Sequence, residues 1–118
     1  MLLESTVFSL HEVVFSDAKY HESGVKTLDV AKRLIDYGIH PPTVYFPLII
    51  SGAIMIEPTE SESKESLDYL IESMIKISKE IQDDSEKLTN APVVAVRKRL
   101  DEVKAAKRPN LRWLPKVD

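Results

Sequence analysis

The amino-acid sequence predicts an α+β domain, in which a small antiparallel sheet has helices packed on one face. The chain has 118 residues, enough for one domain with a modest core. Its runs of β-branched and aromatic residues are too few and too close together for a doubly wound parallel sheet, and two longer segments carry apolar residues at helical spacing. We expect a single domain over 1–118, with a core at about 7–88 and, over 89–118, an extended tail with a short helix.

The composition excludes several classes of function. Hydrophobic residues make up 43% and charged residues 30% of the chain, which is typical of a soluble globular protein. The formal net charge of -3 gives no reason to expect a nucleic-acid or membrane partner. The absence of cysteine excludes disulfides, thiolate zinc sites and thiol catalysis. Since the N-terminus lacks the pattern of a signal peptide and the longest apolar run is too short for a membrane span, we expect a cytoplasmic protein.

The first strand is predicted at 7–16, where valine, phenylalanine and leucine form a short run between polar residues. His11 lies within this run, and we expect its ring to pack on a face of the sheet rather than to bind a ligand. The polar segment 17–24 follows the strand and contains the first glycine of the chain. We predict that this segment is a loop.

The first helix is predicted at 27–37. Thr27 is a suitable N-terminal cap, and Asp29 places a negative charge in the first turn, where the helix dipole favours it. Gly38 suits the left-handed residue that ends many helices, with Ile39 folding back on the last turn. The predicted apolar face consists of Leu28, Ala31, Leu34 and Ile35, and the predicted solvent-facing side consists of Lys26, Lys32, Arg33 and Asp36.

Two strands are predicted after the proline pair at 41–42, which prevents the helix from continuing. The first covers 44–46, and because proline cannot donate to a ladder, this strand is an edge, ends or bulges at Pro47. The second covers 53–57 and stops at Pro58. Their proximity suggests an antiparallel pair, although residues 48–50 could equally form a short helical turn.

The longest helix is predicted from Ser61 or Ser63 to about Gln82. Acidic residues crowd its start, where the helix dipole favours them. The charged segment 83–85 is expected to end the helix in a solvated loop. The predicted apolar stripe follows three-four spacing and consists of Leu67, Leu70, Ile71, Met74, Ile75, Ser78 and Ile81.

The tail is predicted to be loosely organised. Residues 93–96 either pair as an edge strand or run extended, and Asp101 is expected to cap a short helix that continues through Lys107. The charge over 97–116 is mostly basic, and Trp113 is the sole tryptophan. One aromatic ring is a poor basis for nucleic-acid binding, because stacking platforms need several rings and a groove. Docking on a partner surface is the favoured interpretation.

By itself the sequence shows no complete catalytic apparatus. Its three glycines are isolated, which excludes a glycine-rich phosphate loop, and its three histidines have no spacing that would place two of them on one metal. Glu57 and Glu60 form a candidate acid–base pair. Alternatively, Thr59 or Ser61 caps the long helix, and Glu60 only complements the dipole of that helix.

His40 lies between a helix end and two prolines, so its backbone is held by the turn. A histidine in such a loop can stack on a ligand or form a hydrogen bond with it. The alternative, that its ring packs on the neighbouring strand, is equally open.

Two motifs in the central segment resemble the C-terminal region of the glycine dehydrogenase (decarboxylating) family, the P-protein of the glycine cleavage system. They read DVAKRLIDYGIHPPT over 29–43 and MIEPTESE over 55–62. Two further stretches agree with the family: His11-Glu12 before an apolar strand, and RLDEVKAAKRP over 99–109 with LRW over 111–113. The resemblance covers nearly the whole chain. The length of the spacer between the two motifs is more similar to subunit 2 of the divided enzyme than to the fused form.

The resemblance implies the small C-terminal domain of a fold-type-I pyridoxal-phosphate enzyme, packed on a large cofactor domain that this chain lacks. The parent enzyme would use pyridoxal phosphate to decarboxylate glycine and pass the aminomethyl group to the lipoyl arm of H-protein, with P-protein subunit 1 as a further partner. The family's cofactor lysine lies in a motif that this sequence does not contain. We therefore expect this chain alone to bind no cofactor and to be inactive. Candidate residues of the cleft between the domains are His40, Pro42, Thr43, Glu57, Thr59 and Glu60.

Two other interpretations stay open on the sequence. The chain could be a free-standing α+β binding or regulatory module that associates with itself through an edge strand. A less favoured interpretation is a small hydrolase that uses Glu57 and Glu60. The domain interpretation predicts an exposed apolar face where the large domain would sit, whereas the module interpretation predicts a closed surface.

Overall fold

The sheet is organised around a central buried strand. The computed structural model describes residues 11–115. In this part of the chain three strands form one antiparallel sheet in the order β1-β3-β2, where β1 is Val13–Ser16, β2 is Thr43–Val44 and β3 is Ala53–Ile56. Val13 lies opposite Ile56, and Thr43 lies opposite Met55. The predicted α+β class with a small antiparallel sheet is confirmed.

The core lies between one face of the sheet and three helices. Residues 11–115 form a 3-10 helix, Ala18–Ser23, and the α-helices α1 (Thr27–Asp36), α2 (Lys64–Asp83), α3 (Ser85–Thr89) and α4 (Glu102–Lys107). Ile54 and Ile56 are two apart in β3 and therefore share the face that meets the helices. The buried helical residues of this core are Val30, Leu34, Met74, Ile77, Ile81 and Leu88.

β1 is shorter than predicted. Residues 7–10 of the predicted strand lie outside the described residues, and pairing begins at Val13 because its partner Ile56 is followed by Glu57-Pro58, where β3 has ended. His11 therefore does not lie in the sheet. Its ring is exposed and lies 3.8 Å from the carboxylate of Glu12, so the expectation that it packs on a sheet face is wrong.

The segment 17–24, predicted to be a loop, contains the 3-10 helix instead. Tyr20 is buried in the core, and its hydroxyl lies 2.7 Å from Ser78 Oγ of α2. Gly24 ends the helix with a φ of 74°. A single buried tyrosine thus folds this polar segment onto α2, and the composition of the segment did not show it.

The start of α1 is capped from a distance. Thr27 is the first helical residue rather than the cap. Asp17 Oδ2 accepts hydrogen bonds from Thr27 N–H at 3.0 Å and from Thr27 Oγ1 at 2.8 Å. Asp29 Oδ2 accepts one from Lys26 N–H at 2.8 Å. Two carboxylates therefore satisfy amide groups that a helix start leaves without partners.

The end of α1 is as predicted. Gly38 has a φ of 73°, which suits glycine because it has no Cβ. The amide of Gly38 donates to Ile35 O at 2.9 Å, and the amide of Ile39 donates to Leu34 O at 3.0 Å. Ile39 packs against the core. This is the hydrogen-bonding and packing pattern that the Gly-Ile pair predicts.

The predicted solvent-facing side of α1 is wrong at two positions. The side chains of Arg33 and Asp36 are only 9% and 2% exposed. Arg33 Nε donates to Glu80 Oε2 at 2.9 Å, and Arg33 Nη1 donates to Asp36 Oδ2 at 3.0 Å. Both charges can be buried because α2 supplies a carboxylate at that place and the tail covers it.

This buried ionic cluster, Arg33, Asp36, Tyr37 and Glu80, shifts the pKa of each member. The hydrogen bond with Arg33 lowers the pKa of Glu80 to about 2, and the hydrogen bond with Glu80 raises the pKa of Arg33. Burial would raise the pKa of Asp36, but hydrogen bonds from the Val93 and Val94 amides and from Arg33 outweigh it and lower that pKa. Burial and the hydrogen bond to Glu80 raise the pKa of Tyr37. All members thus stay in their ordinary charge states at neutral pH.

The core face of α2 differs in part from the predicted stripe. Ser63 is the N-cap, and its Oγ accepts from Ser66 N–H at 3.2 Å, so neither Thr59 nor Ser61 caps the helix. Ile71 and Ile75 of the predicted stripe are 56% and 51% exposed. The predicted stripe was wider than the contact, because the sheet and α1 cover only part of the circumference of α2. The residues that face the core are Leu70, Ser73, Met74, Ile77 and Ile81.

The segment that follows α2 packs against the rest of the domain more closely than predicted. The expected loop at 83–85 runs directly into α3, whose Leu88 is fully buried. Residues 93–96 form no strand, because the amides of Val93 and Val94 donate to the Asp36 carboxylate at 2.7–2.9 Å. The predicted last helix is confirmed as α4, with Asp101 Oδ1 accepting from Lys104 N–H at 2.8 Å.

Candidate functional site

A cleft opens where two loops meet the first half of α2. One wall is the α1–β2 connection, in which the left-handed Gly38 ends α1 and Pro41 and Pro42 keep the chain extended. The other wall is the β3–α2 connection, which leaves the sheet at Glu57-Pro58. The cleft has a volume of about 520 Å³, within the range of small-molecule sites.

Five of the six predicted site residues line this cleft. His40, Pro42 and Thr43 come from the first wall, and Glu57 and Thr59 come from the second. Glu60 lies in the turn before α2, outside the lining. The structure therefore does not bring the hypothetical Glu57–Glu60 pair together at the cleft.

The side chains of the second wall are accessible. Glu57 and Thr59 are exposed, and Thr59 Oγ1 lies 2.7 Å from Ser61 Oγ. Thr43 is exposed and sits opposite Met55 in the β2–β3 pair, so the sheet fixes its position. His40 is also exposed, which favours a ring that faces solvent over one packed on its own strand.

Helix α2 contributes to the cleft, which was not predicted from the sequence. Ser66, Leu67, Tyr69 and Leu70 line it from the first half of that helix, and Glu62 lines it from the turn before the helix. The spacing of the four helical residues places them on one helix face, which is a signal that the sequence does contain. Tyr69 also donates a hydrogen bond from its hydroxyl to Tyr37 O at 2.7 Å, which fixes α2 against the end of α1.

The cleft is rich in acidic and hydroxyl groups. Its lining includes the carboxylates of Glu57 and Glu62, the imidazole of His40 and four hydroxyls, those of Thr43, Thr59, Ser66 and Tyr69. None of the lining residues is lysine or arginine. Such a wall can accept hydrogen bonds from an ammonium or amide group, and it offers no cation for a phosphate or carboxylate.

A second, smaller cavity of about 430 Å³ lies beside Asp17. Burial would raise the pKa of Asp17, but hydrogen bonds from Thr27 and from His21 outweigh it and lower that pKa. A Cβ added to Gly52 would lie 1.7 Å from Asp17 Oδ1, so the carboxylate fills the space beside that glycine. Because Asp17 is occupied in capping α1, we assign this cavity a structural role.

The hairpin loop between β2 and β3, residues 45–52, exposes apolar side chains. Phe46 is half exposed, and Leu48 and Ile49 are almost fully exposed. Tyr45 has a φ of 57°, unusual for a residue with a side chain, and is held by hydrogen bonds to Ala53 O at 2.8 Å and from Leu28 N–H at 3.3 Å. A strained residue thus holds an apolar loop out in solvent.

Two kinds of site are not found in residues 11–115. No cluster of three or more histidine and acidic residues is arranged to hold a metal ion. No helix in this range is both long and apolar enough to cross a lipid bilayer.

The family model and the individual relatives that match this chain indicate the same family. Residues 3–107 match the model of the family described as glycine dehydrogenase, C-terminal domain. The chain is 53% identical over 107 residues to the probable glycine dehydrogenase (decarboxylating) subunit 2 of Kosmotoga olearia, covering 90% of this chain and 22% of that protein. It is 54% identical over 105 residues to the protein of the same name from Bacillus licheniformis, covering 89% and 22% of the two chains.

A third relative, from Exiguobacterium sibiricum, is 51% identical over 112 residues, covering 95% of this chain and 23% of the relative. The chain thus spans about a fifth of the length of these relatives. Since the family model covers nearly all of the described residues, the chain belongs to the glycine dehydrogenase C-terminal domain family.

Proposed function

We propose that this chain is the C-terminal domain of a glycine-decarboxylating P-protein, most similar to subunit 2 of the divided enzyme. The parent enzyme decarboxylates glycine with pyridoxal phosphate and transfers the aminomethyl group to the lipoyl arm of H-protein. The 118 residues contribute one wall of the active-site region, and a large cofactor domain contributes the other. Without that domain, this chain is inactive.

The observation that carries the proposal is the joint placement of two motifs. The stretches 29–43 and 55–62 are separated in sequence, yet they supply the two walls of a single cleft. His40, Pro42 and Thr43 come from one stretch, and Glu57 and Thr59 come from the other. Relatives at 51–54% identity carry the name glycine dehydrogenase (decarboxylating) subunit 2.

The exposed apolar loop at 45–52 supports a larger protein around this domain. Leu48 and Ile49 expose most of their side chains to water, although the core of the same chain is well filled. Contiguous apolar surface of this kind usually marks an interface. We assign this loop to the contact with the large domain, which lies in the part of the relatives that this chain does not span.

The cleft does not fit pyridoxal phosphate by itself. The cofactor needs a lysine amine for its aldehyde and cations or free amides for its phosphate. The cleft offers the carboxylates of Glu57 and Glu62 and no lysine or arginine. We therefore place the cofactor on the large domain and give the cleft residues the task of shaping the pocket and accepting hydrogen bonds from the amine of glycine or the amide of the lipoyl arm.

The remaining partners follow from the parent enzyme. They are P-protein subunit 1, lipoylated H-protein and glycine, and the compartment is the cytoplasm. The name subunit 2 of the relatives supports the existence of a companion subunit.

A chimera tests the proposal. This chain replaces the matching C-terminal region of the Kosmotoga olearia protein, and the chimera is combined with subunit 1, H-protein and pyridoxal phosphate. The assay measures exchange of labelled bicarbonate into the carboxyl group of glycine. We expect exchange by the chimera and none by the 118-residue chain alone. A folded, cofactor-loaded chimera without exchange would contradict the proposal.

A further inference from the structure

Residues 91–99, here called the strap, are held to α1 by a carboxylate near each end of that helix. Near the C-terminal end, Asp36 accepts hydrogen bonds from the amides of residues 93–94 at 2.7–2.9 Å. Near the N-terminal end, Asp29 Oδ1 pairs with Arg99 Nη2 at 2.6 Å. The strap therefore runs along α1 from its last turn back to its first, and its position is fixed at both ends.

The arm, residues 100–115, begins where the strap ends. Every residue of the arm is exposed. The hydrogen bonds that these described residues make stay within the arm, as from Lys104 N–H to Asp101 Oδ1 at 2.8 Å. The body of the domain thus determines where the arm starts and leaves its surface uncovered.

Exposed apolar side chains are concentrated in two segments of the domain. Fifteen large hydrophobic residues are exposed within 11–115, of which eight lie at 93–114 and four at 45–49 in the hairpin loop. In these two segments, Trp113 is 84% exposed and Ile49 is 92% exposed. The other three lie on α2. Clustered apolar surface usually marks an interface, so both segments are candidates for one.

Both segments are tied to the first turn of α1. The amide of Leu28 donates a hydrogen bond to the Tyr45 hydroxyl at 3.3 Å, at the start of the hairpin loop. The next residue of α1, Asp29, holds Arg99 at the start of the arm. Because the two segments leave the body beside neighbouring residues of one helical turn, a single partner can contact both.

Basic side chains accompany the apolar ones in the tail. Residues 97–115 contain seven lysines or arginines against two acidic residues, although the whole chain has 19 acidic and 16 basic side chains. Complementary surfaces place opposite charges across an interface. The surface that covers the arm should therefore be apolar and should carry carboxylates at its rim.

A second copy of the chain offers no such surface among the residues that the structure describes. Contact between two arms would bring like charges together. Outside the two segments, the exposed large hydrophobic residues are the three on α2, where Lys76 and Lys79 lie beside Ile75 and would repel a basic arm. By contrast, this chain spans only about a fifth of the length of its relatives. Most of such a protein is therefore available to supply the missing surface.

We propose that the arm and the hairpin loop together bind the large domain, the part of the relatives that this chain does not span. The surface that receives the arm is apolar with an acidic rim. Because the strap fixes the start of the arm before contact, less conformational freedom is lost on binding. This inference rests on the proposed function for the identity of the partner, and it adds the arm and the chemistry of its acceptor surface to the loop contact.

Hydrogen exchange followed by mass spectrometry tests the contact, on the chimera described above and on the 118-residue chain alone. In the chain alone, we expect fast exchange throughout the arm, because its amides are exposed or lie in one short helix. In the chimera, amides of the arm and of the hairpin loop should exchange about tenfold or more slowly. Peptides from 75–83 of α2 are the internal control and should exchange equally in both proteins.

Photochemical cross-linking identifies the surface that the arm meets. The chimera carries Trp113→p-benzoylphenylalanine, and the control chimera carries Ile75→p-benzoylphenylalanine on the outer face of α2. We expect irradiation to join residue 113 to a peptide of the large domain in the same polypeptide, one that contains aspartate or glutamate. The control should give little of this product.

The outcomes separate this contact from the catalytic function. A chimera that exchanges bicarbonate while its arm stays unprotected and gives no cross-link would overturn the contact and leave the proposed function standing. A protected, cross-linked arm in a chimera without bicarbonate exchange would support the contact and contradict the proposed function. A cross-link from residue 113 to a second polypeptide, seen as a doubled mass, would overturn the contact in favour of self-association.

A natural relative provides the measurement if the chimera does not fold. The match to the Exiguobacterium sibiricum protein covers 95% of this chain, so it includes most of the arm. In that full-length protein, the segments matching the arm and the hairpin loop should be as well protected as expected for the chimera. Fast exchange at both segments would overturn the proposal.

Discussion

The buried ionic cluster and the cleft contain similar side chains in opposite situations. In the cluster, Arg33 and Glu80 are mostly buried, and each charge has a geometrically matched partner. In the cleft, His40 and Glu57 are exposed, and no hydrogen bond or ion pair of theirs is found among the described residues. The difference separates charges that build the fold from charges that remain available to a ligand. Paired groups cost stability when they are removed, and unpaired ones should not.

The largest effect is expected from breaking the cluster. Arg33→Ala leaves the Asp36 carboxylate without a cation and leaves Glu80 with only the partly exposed Lys87, and we expect a loss of about 3 kcal/mol in the free energy of unfolding. The measurement is urea denaturation at pH 7. The matched control is Lys64→Ala, which removes an exposed partner of Asp68 and should cost about 0.5 kcal/mol or less. Equal losses for the two variants would contradict the distinction.

Substitution of Gly52, beside the smaller cavity, should cost more stability than substitution of Gly38, in the wall of the cleft. Gly52→Ala places a methyl group 1.7 Å from the buried carboxylate of Asp17 and also strains a φ of 60°. We expect a loss of about 2–4 kcal/mol in unfolding free energy, from overpacking and left-handed strain together. Gly38→Ala, in the cleft wall, meets no atom within 4 Å and should cost only the strain, about 1 kcal/mol. A cost at Gly38 that matches the cost at Gly52 would refute the steric argument.

Acid should weaken the cluster through Glu80. Its pKa is held at about 2 in the folded chain, below its ordinary value, so its contribution is present above pH 4.5 and is lost as the pH falls toward 2. We expect a few kcal/mol of stability to disappear over this range, with Asp17 and Asp36 contributing in the same direction. Urea midpoints measured from pH 7 to acid test this, and Glu80→Gln should flatten the curve. An unchanged curve for the variant would remove Glu80 as a cause.

The smallest stability effects are expected in the cleft. His40→Ala and Glu57→Gln should each change the unfolding free energy by about 0.5 kcal/mol or less, because neither side chain has a partner to lose. In the chimera described above, the same changes should reduce bicarbonate exchange about tenfold or more, if the cleft faces the substrate region. Glu60→Gln, outside the cleft, is the control for both measurements.

The features that the sequence predicts well are the local ones. The end of α1 at Gly38 and the cap of α4 at Asp101 depend on contacts within a few residues, and both are found. Ser63, one of the two predicted starts of the long helix, is its N-cap. Short-range hydrogen bonding and φ preference were enough for these helix ends. The strand predicted at 44–46 is wrong in its bounds, because β2 covers Thr43–Val44 and Tyr45 already has a positive φ, two residues before Pro47.

The features that the sequence missed depend on distant partners. Arg33 looked solvent-facing because nothing within α1 shows that Glu80, 47 residues away, will meet it. The charged segment 83–85 was predicted to be a solvated loop, because its own residues do not show that α3 follows directly and places Leu88 in the core. For the cleft, the two loop motifs identified one part of the lining, but the contribution of Tyr69 required the packing of α2 to be known.

The contact between Gly52 and Asp17 ties two positions together for protein engineering. Any library that randomises residue 52 alone will yield mostly misfolded variants, because the occupied volume belongs to a side chain 35 positions earlier. Shortening Asp17 would open that volume, yet it would also remove the acceptor of the Thr27 amide and leave the Thr27 hydroxyl with only Gly52 O. Substitutions at the two sites should therefore combine non-additively, and useful diversity here requires mutating both codons at once.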